Sequence, residues 1–90
     1  MQTQTPQFDV LIKFVTVKGI LQKYLKEDIL DKEEIEYILK VVDYILNGTL
    51  KLDEVVLDTL CEQVLVASTY HKSTALLDVY SVLQSVGGIL

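Results

Sequence analysis

Few side chains in this sequence have the chemistry that an active site requires. The 90-residue chain contains one cysteine, Cys61, and one histidine, His71. Ten residues separate them, about 15 Å along a single helix, so they cannot form a thiolate–imidazole pair within one helix. The apolar pattern around them predicts that Cys61 is a small buried residue and that His71 has a structural role at a helix end. We therefore expect a protein that is not an enzyme.

The spacings that hold metal ions and phosphates are also missing from the sequence. It contains no Cys-x-x-Cys, His-x-x-x-His or Glu-x-x-His motif. The three glutamates within 33–36 fall at the start of a predicted helix, where they favour the helix dipole. Gly19 and Gly48 are isolated, and the pair at 87–88 follows the last predicted helix, so no phosphate-binding loop is present. No cofactor and no metal are expected.

Apolar residues recur with helical spacing in four segments, which predicts an all-α fold. The helices are expected at about 6–26, 32–47, 54–70 and 74–86. Short connections favour antiparallel neighbours, so the expected architecture is an antiparallel four-helix bundle with up-down-up-down order. Residues 1–90 are expected to form a single helical domain in which 1–5 are a frayed lead. A strand over 8–17, which is rich in β-branched residues, is the alternative for the first segment.

Residues that cap helix N-termini precede each predicted helix. They are Thr5, Asp31, Asp53, and Ser73 or Thr74. Pro6 suits the first helical position, where its missing N–H is not needed. Asp31 is expected to accept a hydrogen bond from the Glu34 amide while Glu34 reaches back, as in a capping box. Gly48 suits the left-handed position after the second helix.

The charge of the chain argues against nucleic acid as a partner. Its eight basic residues are all lysine, and with 13 acids the formal net charge is −5. Arginine, which recognises phosphates and guanine edges, is absent. Four lysines and one acid lie within 1–26, whereas four lysines and twelve acids lie within 27–90. This asymmetry either reflects solvated helix faces or orients a head-to-tail or antiparallel contact between chains.

A second set of apolar residues exceeds what a four-helix core needs. Away from the inner stripes lie Phe8, Leu11, Ile12 and Val15 on the first helix, Tyr37, Val41 and Tyr44 on the second, and Val55, Val66 and Tyr70 on the third. In one interpretation the first helix is the most buried and the tyrosines lie at the rim of the core. In the other, which we favour, the sets on the first two helices form an interface. The simplest partner is a second copy, related by a two-fold axis.

These observations predict a small non-catalytic protein–protein interaction module, an adaptor or regulatory subunit, that forms a homodimer. The alternative is an acidic inhibitor or immunity-type protein that covers a basic site on a partner protein. No apolar run approaches the ~20 residues that span a bilayer. Membrane-surface binding is not expected either, because the lysines of the first helix are not clustered on one polar face, the rest of the chain is acidic and tryptophan is absent. A single cysteine and no signal-peptide pattern predict a cytoplasmic location. In size and helicity the chain resembles small bacteriocin immunity proteins and death-fold domains, without a shared motif.

Overall fold

The computed structural model describes residues 6–27 and 29–89, with side chains from Phe8 onward. It contains four helices, α1 (Pro6–Leu25), α2 (Lys32–Leu46), α3 (Glu54–His71) and α4 (Thr74–Gly87). The predicted all-α fold is confirmed, and each predicted boundary lies within one residue of the observed one. The alternative of a strand over 8–17 is wrong, since these residues lie inside α1. The expected frayed lead and the cap at Thr5 fall outside the described residues.

The helices form an antiparallel bundle in which each helix packs against two neighbours. α1 and α3 each contact α2 and α4, whereas the diagonal pairs do not pack closely within the described part of the chain. The α3–α4 contact is the most extensive and the α2–α3 contact is the sparsest. The bundle measures 47 × 21 × 19 Å. Long sides of the helices therefore face solvent.

One apolar stripe on each helix builds the core. Because an α-helix has 3.6 residues per turn, positions three and four apart fall on the same side. The buried members are Val10, Phe14, Val17, Leu21 and Tyr24 on α1, Ile35, Ile38, Val42 and Ile45 on α2, Leu57, Leu60, Cys61, Val64 and Ala67 on α3, and Leu76, Val79, Leu83 and Val86 on α4. Burial of each large aliphatic or aromatic side chain contributes about 1.5–3 kcal/mol to folding.

Three of the predicted signals at helix ends are present. The Asp53 carboxylate accepts a hydrogen bond from the Val56 amide at 2.9 Å and starts α3. The Ser73 hydroxyl accepts one from the Leu76 amide at 3.2 Å and starts α4. Gly48 has a φ of 83°, the left-handed conformation that glycine adopts without strain. These local contacts explain why the boundaries follow from the sequence.

The predicted capping box at the start of α2 is wrong. Asp31 has a φ of 56°, and its side chain makes no capping hydrogen bond. A side chain that caps a helix normally extends from β-region backbone, and the left-handed conformation removes that geometry. The carboxylate instead accepts a hydrogen bond of 2.6 Å from the Tyr70 hydroxyl. Asp31 therefore ties the start of α2 to the end of α3.

Candidate functional site

The side chains with catalytic potential are buried in the bundle. Cys61 lies on the inner stripe of α3 as a free thiol. Burial, and to a smaller extent the charge of Asp58, raises the pKa of this thiol, which disfavours the reactive thiolate. Among residues 6–27 and 29–89, no group of three or more histidine, cysteine or acidic side chains is arranged to hold a metal ion. The arrangement around Cys61 is that of a core position.

His71 lies at one end of the bundle. Its side chain is only 6% exposed. The imidazole makes edge-to-face contacts with Tyr24, at 6.0 Å between ring centroids, and with Tyr70, at 5.2 Å. Its Nε2 atom lies 4.0 Å from Oε1 of Glu34 and has no hydrogen-bond partner within the described structure. The ring thus packs where α1, α2 and α3 meet.

Four apolar side chains of α1 lie in solvent, on the side opposite the core. We call Phe8, Leu11, Ile12 and Val15 the α1 outer face. They follow the i, i+3, i+4, i+7 spacing of one helix side over two turns, and Phe8 is 63% exposed. The interpretation that α1 is the central, most buried helix does not account for these four exposed side chains. Lys18 and Gln22 continue the same side of the helix toward its C-terminus.

Tyr37, Val41 and Tyr44 lie on another side of the bundle. Asp43 of α2 faces α1, because its carboxylate pairs with Lys18 at 2.7 Å. Glu34 instead lies beside His71 of α3, and Tyr37 and Val41 follow it at i+3 and i+7, on the same side of α2. The tyrosines are exposed, whereas Val41 is half-buried against the core. The structure does not join the seven predicted residues into one surface.

The tyrosines of α2 lie on the side of that helix that borders α3. The Tyr70 hydroxyl reaches Asp31 at the start of α2, so this side of α3 is turned toward α2. Val66 lies one turn before Tyr70 on the same side and is 57% exposed. We call Tyr37, Val41, Tyr44, Val66 and Tyr70 the α2–α3 groove. The sequence shows that Val66 and Tyr70 leave the inner stripe, but only the order of the helices in space brings them to α2.

Acidic side chains surround one end of the α2–α3 groove. Asp31, Glu33 and Glu34 line a shallow depression together with Tyr70, and all three acids are exposed. The hydrogen bond to Asp31 raises the pKa of the Tyr70 hydroxyl, and the Asp31 charge, partial desolvation and Glu34 add to this rise. The groove is therefore aromatic along its length and negatively charged at the end where α2 begins.

Two findings complete the description of these surfaces. Within the described ranges, no helix is both long enough and apolar enough to cross a membrane. A comparison of the chain with protein-family models, curated proteins and solved structures finds no match.

Proposed function

We propose that this protein is a small non-catalytic interaction module that binds protein chains through the α1 outer face, beginning with a second copy of itself. The observation that carries the proposal is the exposure of four large apolar side chains on two consecutive turns of α1. Covering apolar surface yields roughly 25 cal/mol per Å² removed from water. Clustered apolar exposure marks interaction sites, whereas single exposed residues are ordinary. The role is that of an adaptor or regulatory subunit.

The outer side of α4 is mostly polar, in contrast to the α1 outer face, and this difference supports the proposal. All of α4 lies in the described part of the chain, and its one exposed large apolar side chain is Leu77. Asp78, Ser81, Gln84 and Ser85 occupy the rest of that side and are exposed. Both helices belong to the same bundle, so apolar exposure is not a general feature of its helices, although α2 and α3 also expose apolar side chains.

The burial of the potentially reactive side chains also supports a binding role. Cys61 is buried with a raised thiol pKa, and His71 is enclosed by two tyrosine rings. The alternative hypothesis, an acidic inhibitor that covers a basic site, stays a prediction. Its support is the acidic group formed by Asp31, Glu33 and Glu34 at one end of the bundle.

The solution mass tests the proposal. Size exclusion coupled to light scattering, across a micromolar range, is expected to give at least twice the 10.2 kDa monomer mass for the native protein. The double variant Leu11→Lys/Val15→Lys places two charges on the α1 outer face and is expected to stay monomeric. Leu77→Lys is the matched control, because it adds a lysine at an isolated exposed leucine of α4. This control is expected to associate like the native protein.

Circular dichroism of the double variant accompanies the mass measurement. A folded monomeric variant supports an interface on α1. An unfolded variant contradicts the proposal, because it would show that Leu11 and Val15 belong to the core. A native protein that stays at 10.2 kDa over the whole range contradicts self-association.

A further inference from the structure

The α1 outer face and the α2–α3 groove carry opposite charges beside their apolar residues. We propose that the α1 outer face of one copy docks in the α2–α3 groove of another, with its lysines beside the acids at the end of the groove. This inference rests on the proposed function, because it names the receptor for the α1 outer face. The occupant of the groove is thus a second copy of this chain.

The side of α1 that carries the outer face changes from apolar to basic along its length. Phe8 to Val15 form its N-terminal half, and Lys18 continues the same side one turn later, where it pairs with Asp43 of its own α2. Lys23 lies at the C-terminal end of α1, Lys26 follows directly after the helix, and both are exposed. An amphipathic helix of this kind is recognised in grooves through anchors at i, i+3, i+4 and i+7, which is the spacing of the α1 outer face.

The groove offers the complementary features. α2 and α3 make the sparsest contact of the bundle. The side chains of Tyr37, Tyr44 and Val66 are exposed, on the sides of α2 and α3 that the Asp31–Tyr70 hydrogen bond links. Large tyrosine side chains are enriched at protein interfaces, because they bury much area at little entropic cost. Asp31, Glu33 and Glu34 at one end provide the negative charge that lysines would meet.

The positions of these charges set the direction of docking. The end of α1 with its lysines and the start of α2 with its acids are joined by residues 26–31, so they lie at the same end of one bundle. Placing the lysines of a second α1 beside the acids therefore aligns the two bundles in parallel. Pairing two α1 outer faces in the same parallel direction would instead place the lysines of both helices side by side, which is unfavourable.

The proposed contact is heterologous, because two different surfaces meet. The α1 outer face lies across the α1–α2 seam from the groove, on another side of the bundle. A dimer would therefore leave one outer face and one groove uncovered. Heterologous contacts continue into a closed ring or an open filament. This arrangement differs from the two-fold dimer expected from the sequence, in which the same surface of each copy would meet its counterpart.

A complementation experiment tests this inference. Leu11→Lys/Val15→Lys removes the α1 outer face but keeps the groove. Tyr37→Lys/Val66→Lys removes the groove but keeps the outer face, at two exposed positions. Each variant alone is expected to be monomeric. Their equimolar mixture is expected to form a 1:1 dimer of twice 10.2 kDa that does not grow further, because the remaining surfaces are blocked.

Leu65→Lys is the matched control for the groove variant. Leu65 is exposed like Val66 and adjoins it in α3, but it projects about 100° further around the helix. This variant is expected to associate like the native protein. The mass of the complementing mixture is expected to fall at high salt, because salt screens the lysine–carboxylate attraction. A mixture that is insensitive to salt would contradict the charge pairing.

The outcomes separate this inference from the proposed function. If Tyr37→Lys/Val66→Lys associates like the native protein while Leu11→Lys/Val15→Lys is monomeric, the α1 outer face binds elsewhere and only the inference fails. If both folded variants are monomeric and their mixture does not dimerise, the inference also fails. If Leu11→Lys/Val15→Lys associates like the native protein, the proposed function fails with it.

Discussion

The α1 outer face and the α2–α3 groove are both apolar and exposed, yet they are built differently. The outer face is aliphatic apart from Phe8 and lies on one helix, whose other side is fixed in the core by Phe14, Val17 and Leu21. The groove is aromatic and lies between two helices with the sparsest contact of the bundle. Preorganised surfaces lose less entropy on binding. We therefore expect the α1 outer face to lose less entropy on binding than the groove does.

The largest expected effect is a difference in unfolding free energy between substitutions on the two sides of α1. Phe14 is fully buried and Phe8 is mostly exposed on the same helix. Phe14→Ala is expected to lower the free energy of unfolding by about 3–5 kcal/mol, since it leaves a cavity. Phe8→Ala is expected to change it by less than about 0.5 kcal/mol. Urea unfolding at low protein concentration measures both. A similar cost for the two would place Phe8 in the core and remove the distinction.

A smaller effect on stability is expected at the glycine in the middle of α1. Gly19 is exposed in the middle of the helix, and a methyl group added there meets no atom within 4 Å. Gly19→Ala is expected to raise the free energy of unfolding by about 0.5–1 kcal/mol, because alanine loses less backbone entropy. Gly48→Ala is the control and should destabilise, since Gly48 has a φ of 83°. A destabilising Gly19→Ala would mean that α1 is not a regular helix there.

The smallest effect lies at the acidic end of the groove and depends on pH. The pKa of Tyr70 is raised in the folded protein, chiefly by its hydrogen bond to Asp31. The stabilisation is then fully present below the tyrosine pKa of the unfolded chain, about 10, and is lost as pH rises through the raised pKa. Unfolding curves from about pH 9 upward should show that the native protein loses more stability than Tyr70→Phe. Parallel losses would mean that the hydrogen bond does not form.

The helices follow from the sequence because their determinants are local. The apolar spacing of α2 predicts the side that buries Ile35, Ile38 and Val42. The side chains of Asp53 and Ser73 cap amides three residues away. Each of these interactions acts within a turn or two of helix, so a single segment contains the information needed to predict it.

The assembly of the surfaces depends on the order of the helices in space. A wheel of α2 separates Tyr37 from the core, but it does not show whether α1 or α3 lies beside it. The expectation of one interface shared by α1 and α2 missed that the tyrosines turn toward α3 (Asp43, not Tyr44, faces α1). The predicted capping box at Asp31 is wrong for the same reason. The Asp31 carboxylate accepts a hydrogen bond from Tyr70, which lies 39 residues away in the chain.

The order in which the helices contact one another also has a consequence for how fast the chain folds. Apart from α1 with α4, every contacting pair is consecutive in the sequence, and α3 and α4 are joined by only Lys72 and Ser73. Proteins dominated by such local contacts fold in about microseconds to milliseconds. Bringing α1 onto α4 closes the longest loop and carries the largest entropic cost. The time that apolar side chains spend exposed in the unfolded chain is therefore short.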